Sequence, residues 1–132
     1  MRVRTGWLPP ILAVLGTLAG AGCSEPLGAF QPEITNATDN FQLQATGVTG
    51  VSSTLTYTWT NTGTRATINH STTTTAGAAQ LTIRDGAGTT IYDKALSPSL
   101  NEPTTAGTAG SWTIQLRLTN YGGTLNFRAQ KL

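Results

Sequence analysis

The sequence contains few cysteines, few charged residues and few residues of the types used in catalysis. It has one cysteine in 132 residues, so no disulfide can form within the chain, and its stability must come from packing and sheet hydrogen bonds. Charged residues make up 11% of it, and lysine occurs only as Lys94 and Lys131. After residue 22, no apolar run approaches the roughly 18 residues of a membrane-spanning helix.

The charge balance argues against a nucleic-acid partner. The whole chain has a formal charge of +2, and two of its eight basic residues are Arg2 and Arg4, next to the N-terminus. The charges of the remaining six basic residues are balanced by those of six acidic residues, so the rest of the chain is formally neutral. A basic patch that would attract nucleic acid or anionic lipid is therefore not expected.

Residues for catalysis or metal binding are also scarce. His70 is the only histidine, and no pattern gathers partners for a Ser-His-Asp triad or a metal site around it. We expect a strand-end or surface histidine, turn capping by Asp85, and a solvated Asp93. No glycine-rich run follows a strand and opens a helix, as a phosphate-binding loop requires. The sequence therefore predicts no catalytic residues, no metal site and no cofactor, and the protein is not expected to be an enzyme.

The first 22 residues have the layout of a secretory signal peptide. Arg2 and Arg4 are followed by an apolar stretch from Trp7 onward, and the small residues Gly20, Ala21 and Gly22 precede Cys23. A charged start, a short apolar middle and a small-residue cleavage site are typical of such signals. We predict that residues 1–22 are cleaved and that the rest of the chain is exported.

The residues before Cys23 resemble the lipobox of bacterial lipoproteins. Ala21 and Gly22 match its small positions, whereas Gly20 stands where leucine is usual. The resemblance implies a diacylglycerol on Cys23, which would attach the protein to a membrane of the bacterial cell envelope, outside the cytoplasm. Ser24, rather than aspartate, favours the outer over the inner membrane. The alternative is cleavage after Ala21, which would release a secreted, soluble protein.

Residues 23–40 are predicted to be a flexible tether. They contain Pro26, Gly28 and Pro32 and show no sustained hydrophobic period, as in linkers. Phe30 and Ile34 leave open a short leading strand at the far end of this segment.

From residue 41 to residue 132 the pattern is that of β-strands. Apolar and polar residues alternate in several segments, and threonine, which favours strands, dominates. Turns are predicted at residues 48–53, 61–63, 85–88 and 120–123, and a long irregular loop at residues 97–110. We therefore predict an all-β fold, an antiparallel two-sheet β-sandwich (jelly-roll or immunoglobulin-like) of seven to eight short strands.

Three segments of this region resemble the pre-peptidase C-terminal domain. They are residues 39–43 (Asp-x-Phe-x-Leu), 81–88 (Leu-Thr-Ile-Arg-Asp-Gly-Ala-Gly) and 109–114 (Ala-Gly-Ser-Trp-Thr-Ile). Members of that family are small secreted β-sandwiches, usually appended to exported enzymes. The resemblance implies a binding or targeting role without catalysis.

These observations favour a cell-envelope lipoprotein that displays a non-catalytic binding or structural module. Its expected partners are the membrane, through the lipid on Cys23, and an envelope polysaccharide or protein. Tyr92 and Tyr121, beside or in turns, are candidates for an aromatic platform. Thr54, Thr56, Thr58 and Thr60 form a regular array, a solvated face or a face covered by residues 97–110. The alternatives are an accessory or inhibitor of an exported enzyme, acting through residues 97–110, and a self-assembling surface subunit with open sheet edges.

Overall fold

The computed structural model describes residues 30–132, and hydrogen bonds join all seven strands of this region in one antiparallel sheet. No helix occurs among these residues, so none that could span a membrane. The all-β, antiparallel prediction is confirmed. The strands are β1 (Glu33–Ala37), β2 (Asn40–Asn61), β3 (Ala66–His70), β4 (Thr73–Arg84), β5 (Thr90–Ala95), β6 (Leu100–Pro103) and β7 (Gly110–Lys131).

Strands β2 and β7 differ from the predicted short strands, because each runs for 22 residues. The segments expected to be turns, residues 48–53 and 120–123, are bends inside these strands. The β2–β7 register shifts three times between Ala45 and Ser53, which is the signature of β-bulges. Gly47 and Gly50 adopt φ of 64° and 59° there, a left-handed conformation that glycine enters without steric cost. The chain therefore bends at these sites without leaving the sheet.

The bends fold the sheet into two facing layers. The first layer contains β1, residues 40–45 of β2, residues 123–131 of β7, β3 and β6. The second contains residues 53–61 of β2, residues 110–119 of β7, β4 and β5. Because β7 pairs with β2 on one side and with β3 and β4 on the other, it is an interior strand of both layers.

The inward faces of the two layers form the hydrophobic core. Trp59 and Trp112 meet edge to face, with ring centroids 5.7 Å apart, and Phe41 stacks on Phe127 at 5.8 Å. All four side chains are at most 1% exposed. Aromatic pairs of this kind each contribute about 0.5–1.5 kcal/mol beyond the burial of their area.

The folded region begins before the predicted boundary at residue 41. Phe30 is buried, and β1 pairs with β2 along its whole length. The indole nitrogen of Trp59 donates to the carbonyl of Ala37 (2.9 Å), which ties the first layer to the second. Residues 30–40 therefore belong to the sandwich. The predicted signal peptide, Cys23 and the start of the tether lie outside the described residues.

Residues 97–110 contain a strand and are fastened to the body of the domain. Residues 100–103 form β6, which pairs with β3, although a loop was predicted here. The backbone N–H of Thr108 donates to the Asp85 carboxylate (2.8 Å), and that of Gly107 donates to the carbonyl of Thr64 (2.7 Å). This segment therefore lies against neighbouring strands, and the inhibitor hypothesis, which relied on a protruding loop, gains no support from it.

Candidate functional site

The outward face of the first layer presents a row of polar side chains across five strands. Since residues opposite each other in antiparallel strands point to the same side, the register defines which side chains are neighbours. The strand pairings align one residue each from β1, β2, β7, β3 and β6: Thr35, Gln42, Arg128, Asn69 and Asn101. At about 4.8 Å between strands, this row is about 19 Å long.

Further amides flank this row on both sides. Towards one end, Glu33, Gln44 and Asn126 are aligned on β1, β2 and β7, and towards the other, Asn40 and Gln130 are paired. We call the resulting surface the amide face, with the following members: Asn40, Gln42, Gln44, Asn69, Asn101, Asn126, Arg128 and Gln130.

Most polar groups of the amide face have no partner within the described part of the chain. The side chains of Gln42, Gln44, Asn69, Asn101, Asn126, Arg128 and Gln130 make no hydrogen bond and no ion pair with another residue of 30–132. The Oδ1 atom of Asn40 is buried and also has no partner there. A side-chain amide offers two donor hydrogens and an acceptor oxygen. The face thus carries a dense set of groups that can bond to a ligand.

A groove of about 390 Å³ adjoins the amide face. Its rim includes Glu33, Gln44 and Asn126, and Ala45 and Leu125 contribute to its lining. The groove lengthens the polar surface along the strands and brings one carboxylate, that of Glu33, to this end of it.

The outward face of the second layer contains one cluster of polar side chains that bond to one another. Asp93 accepts hydrogen bonds from Gln80 (2.7 Å) and Thr82 (3.1 Å). These bonds, together with the nearby charges of Arg117 and Arg84, hold the pKa of Asp93 below its usual value. Arg117 and Arg84 of this face therefore lie near the charge of Asp93.

The threonine ladder of β2 is part of this second face. Thr54, Thr56, Thr58 and Thr60 are all exposed, so residues 97–110 do not cover them. Their neighbours on β7 are mostly of other types, for example Gln115 beside Thr56. The regular threonine array is therefore one strand wide.

The two tyrosines expected to form an aromatic platform are both in the core. Tyr92 is 5% exposed and Tyr121 is 0% exposed. The hydroxyl of Tyr121 lies within bonding distance of the carbonyls of Thr73 (3.2 Å) and Thr124 (3.1 Å). An aromatic platform for a sugar requires an exposed ring face, so the burial of both rings does not support this role.

His70 ends β3, as expected, but it is buried between the layers rather than exposed. Its Nδ1 donates to the carbonyl of Leu96 (3.1 Å), and its Nε2 lies 3.5 Å from the hydroxyl of Tyr92. That hydroxyl donates to Glu102 (3.1 Å), which also pairs with Lys94 at 2.7 Å. This chain of contacts joins β3, β5 and β6 across the open side of the sandwich.

Burial controls the acid–base properties of this cluster. Removal of its ring from water lowers the pKa of His70, against opposing effects from the Leu96 carbonyl and the charge of Glu102. Burial and the carboxylate of Glu102 raise the pKa of Tyr92 well above its usual value. The bond from Lys94 holds the pKa of Glu102 low. At neutral pH the cluster therefore contains a neutral imidazole, a neutral phenol and an ion pair. Tyr92 and Lys94 also line an open pocket of about 300 Å³.

Asp85 caps its turn, as predicted. Its carboxylate accepts the backbone N–H groups of Ala87 (3.0 Å), Thr89 (2.8 Å) and Thr108 (2.8 Å). These bonds, that of Thr108 foremost, lower the pKa of Asp85. Within residues 30–132, no group of three or more His, Cys, Asp or Glu side chains could hold a metal ion.

Comparison with known proteins gives no family assignment. No protein-family model matches the chain, and no curated protein matches it either. The functional argument therefore rests on the surface chemistry described above.

Proposed function

We propose that this protein is a bacterial cell-envelope lipoprotein whose sandwich is a non-catalytic module that binds polysaccharide through the amide face. The observation that carries the binding role is the set of amide side chains with no partner in residues 30–132. Sugar hydroxyls both donate and accept hydrogen bonds, and a side-chain amide can accept from them through its oxygen and donate to them through its nitrogen.

A polymer fits this face better than a small ligand. The amide face is broad and follows the sheet across four strands, and it contains no aromatic ring on which one sugar could stack. Each sugar would therefore bind weakly, and useful affinity would come from many contacts along one chain and from many copies of the protein on one surface.

The binding role is tested by co-sedimentation of the purified full-length protein with insoluble envelope polysaccharide. Gln42→Ala removes an amide from the centre of the face and should reduce the bound fraction. Gln115→Ala is the matched control, because Gln115 is a half-buried, outward-facing glutamine of the second layer. Absence of binding by the wild type, or equal losses in both variants, would contradict the proposed role.

The anchor proposed at Cys23 has a separate test. Cells that express the wild type or Cys23→Ser are grown with a clickable palmitate analogue, and the protein is examined for label. We expect label in the wild type alone. An unlabelled wild type would favour cleavage after Ala21 and a soluble, secreted protein.

If Cys23 carries the lipid, the sandwich lies close to the membrane. Six residues lie between Cys23 and the buried Phe30, and the seven Cα–Cα steps that join the two span at most about 25 Å. A polysaccharide bound to the amide face would accordingly be one that reaches the membrane surface.

A further inference from the structure

We infer that the polysaccharide bound by the amide face is acidic and that a carboxylate of the polymer pairs with Arg128. This inference rests on the binding role proposed above and adds the chemical class of the ligand. It is argued from the position of Arg128 among the amides, from the absence of a counter-charge beside it, and from the placement of Glu33.

Arg128 lies at the centre of the amide face. Gln42 and Asn69 are its direct neighbours on β2 and β3, and Asn126 and Gln130 are its neighbours on the same side of β7. Four amide-bearing residues therefore surround the position of Arg128 on the sheet. An anionic group bound at Arg128 would have hydrogen-bonding groups on all four sides for the hydroxyls next to it.

No carboxylate of the described chain neutralises Arg128. The acidic side chains with ionic or hydrogen-bonding partners use them elsewhere: Asp39 with Thr62 and Lys131, Asp85 with backbone N–H groups, Asp93 with Gln80 and Thr82, and Glu102 with Tyr92 and Lys94. Glu33 is on β1, two strands from β7, and is aligned with Gln44, one row away from Arg128. It makes no ion pair with Arg128. The charge of Arg128 is thus available to a ligand.

The chemistry of these groups selects the class of ligand. A guanidinium group binds a carboxylate through two parallel, charge-assisted hydrogen bonds, and the neutral amides around it match hydroxyl groups. A sugar polymer with carboxylates combines both features. A nucleic acid is less suited, because its repeated charges would call for several cations and its bases for aromatic surfaces, whereas this face offers one arginine and no aromatic ring.

Glu33 makes the groove end of the amide face acidic, in contrast to the basic centre at Arg128. Its carboxylate lies on the rim of the groove, where it would repel a second acidic sugar. We therefore expect the acidic unit at Arg128 and uncharged units towards the groove. Removal of this repulsion by Glu33→Gln should strengthen binding of the acidic polymer.

The experiment compares polymers that share one backbone. Binding of the purified full-length protein to dextran, to carboxymethyl dextran and to oligo(dT) is measured by titration calorimetry, for the wild type, Arg128→Gln, Arg117→Gln and Glu33→Gln. Arg117 is the matched control because it is also an exposed arginine of β7, on the second layer. The wild type should prefer carboxymethyl dextran to both other polymers.

Loss of the guanidinium should then act on one polymer only. Arg128→Gln should weaken binding of carboxymethyl dextran by about tenfold or more and leave that of dextran unchanged. Arg117→Gln should have no more than about a twofold effect, as expected of an exposed charge far from the ligand. Glu33→Gln should strengthen binding of carboxymethyl dextran.

The possible failures are distinguishable. Equal affinity for dextran and carboxymethyl dextran would overturn the acidic class and leave the polysaccharide role intact. Equal losses in the two arginine variants, or equally tight binding of oligo(dT), would show a general attraction of polyanions and would also overturn it. If neither dextran nor carboxymethyl dextran binds, and envelope polysaccharide does not co-sediment either, the polysaccharide role itself fails.

Discussion

Phe41 and Tyr57 belong to the same strand, β2, and yet their rings are in contact, with centroids 5.4 Å apart and planes inclined by 50°. Sixteen residues of straight strand would separate them by roughly 50 Å. Their contact is possible only because β2 bends between them, so that its two halves line opposite sides of one core. Formation of this core and the bends in the long strands are therefore coupled.

Truncation of Phe41 should cost much of the stability. Phe41 is fully buried and contacts both Tyr57 and Phe127, so Phe41→Ala should lower the free energy of unfolding by about 3–5 kcal/mol. Ile34→Ala, at a side chain 37% exposed, should cost less than about 1 kcal/mol. Urea unfolding followed by tryptophan fluorescence gives both values. Similar losses in the two variants would contradict the described core.

The bulge glycines should differ in their tolerance of alanine. Gly77 and Gly47 have similar φ values, 68° and 64°, but a Cβ at Gly77 would lie 2.2 Å from the carbonyl oxygens of Thr119 and Asn120, whereas nothing lies within 4 Å at Gly47. Gly47→Ala should cost about 1–2 kcal/mol for its left-handed backbone. Gly77→Ala should cost about 1–3 kcal/mol more, because β4 must move away from β7. The measurement is again urea unfolding, and equal costs would place Gly77 outside the sheet.

Buried His70 should make the stability depend on pH near neutrality. Its pKa is lowered in the folded state, so the unfolded chain binds a proton more readily, and stability must fall as the pH drops below about 6.5 towards the folded-state value. Glu102 of β6 and Tyr92 and Lys94 of β5 face the ring.

The control for this prediction is His70→Asn, whose amide nitrogen can replace Nδ1 as the donor to Leu96. Thermal unfolding between pH 7.5 and 5 should show a decline for the wild type and a flatter profile for the variant. Below about pH 4.5 both should lose stability, because the pKa values of Asp39, Asp85, Asp93 and Glu102 are lowered in the folded state. Parallel profiles above pH 5 would contradict a buried, neutral imidazole.

The Asp85 carboxylate should matter more than that of Asp93. Asp85→Asn replaces one of two accepting oxygens by a donor that faces backbone N–H groups, so at least one of the three bonds is lost. Asp93 bonds only to side chains, which can turn to water. Asp85→Asn should therefore lower the midpoint of thermal unfolding more than Asp93→Asn. Amide exchange should also become faster at Thr108, and unchanged exchange there would contradict the capping role.

Local patterns predicted most of the strands but not their continuity. The alternation of Phe41, Leu43 and Ala45 identifies an inward face, and the structure has these residues buried in β2. The glycines at residues 47 and 50 indicated a turn, since glycine with positive φ serves turns and bulges alike. Only the pairing of β2 with β7, a strand far along the chain, shows that these glycines form bulges and not a turn. β6 was missed because it is a four-residue edge strand that ends in Pro103, and proline is tolerated at such edges.

The amide face shows the same division between local and long-range information. That Gln42 and Gln44 point away from the core could be predicted, because both alternate with buried residues. The register of β2, β7 and β3 determines that Gln42 lies beside Arg128 and that Arg128 lies beside Asn69. No residue pattern in one strand specifies that register, so the cluster could not be predicted from the sequence.

The position of β7 in the chain sets the order of events during synthesis. It is the last of the seven described strands, and both layers need it as the partner of β2, β3 and β4. The second layer needs β7 as far as residue 119, and the first layer cannot be completed until Lys131 has left the ribosome, some 7–26 s after initiation at about 5–20 residues per second. Until then the first layer lacks the strand that joins β2 to β3, so the two layers cannot close on one core.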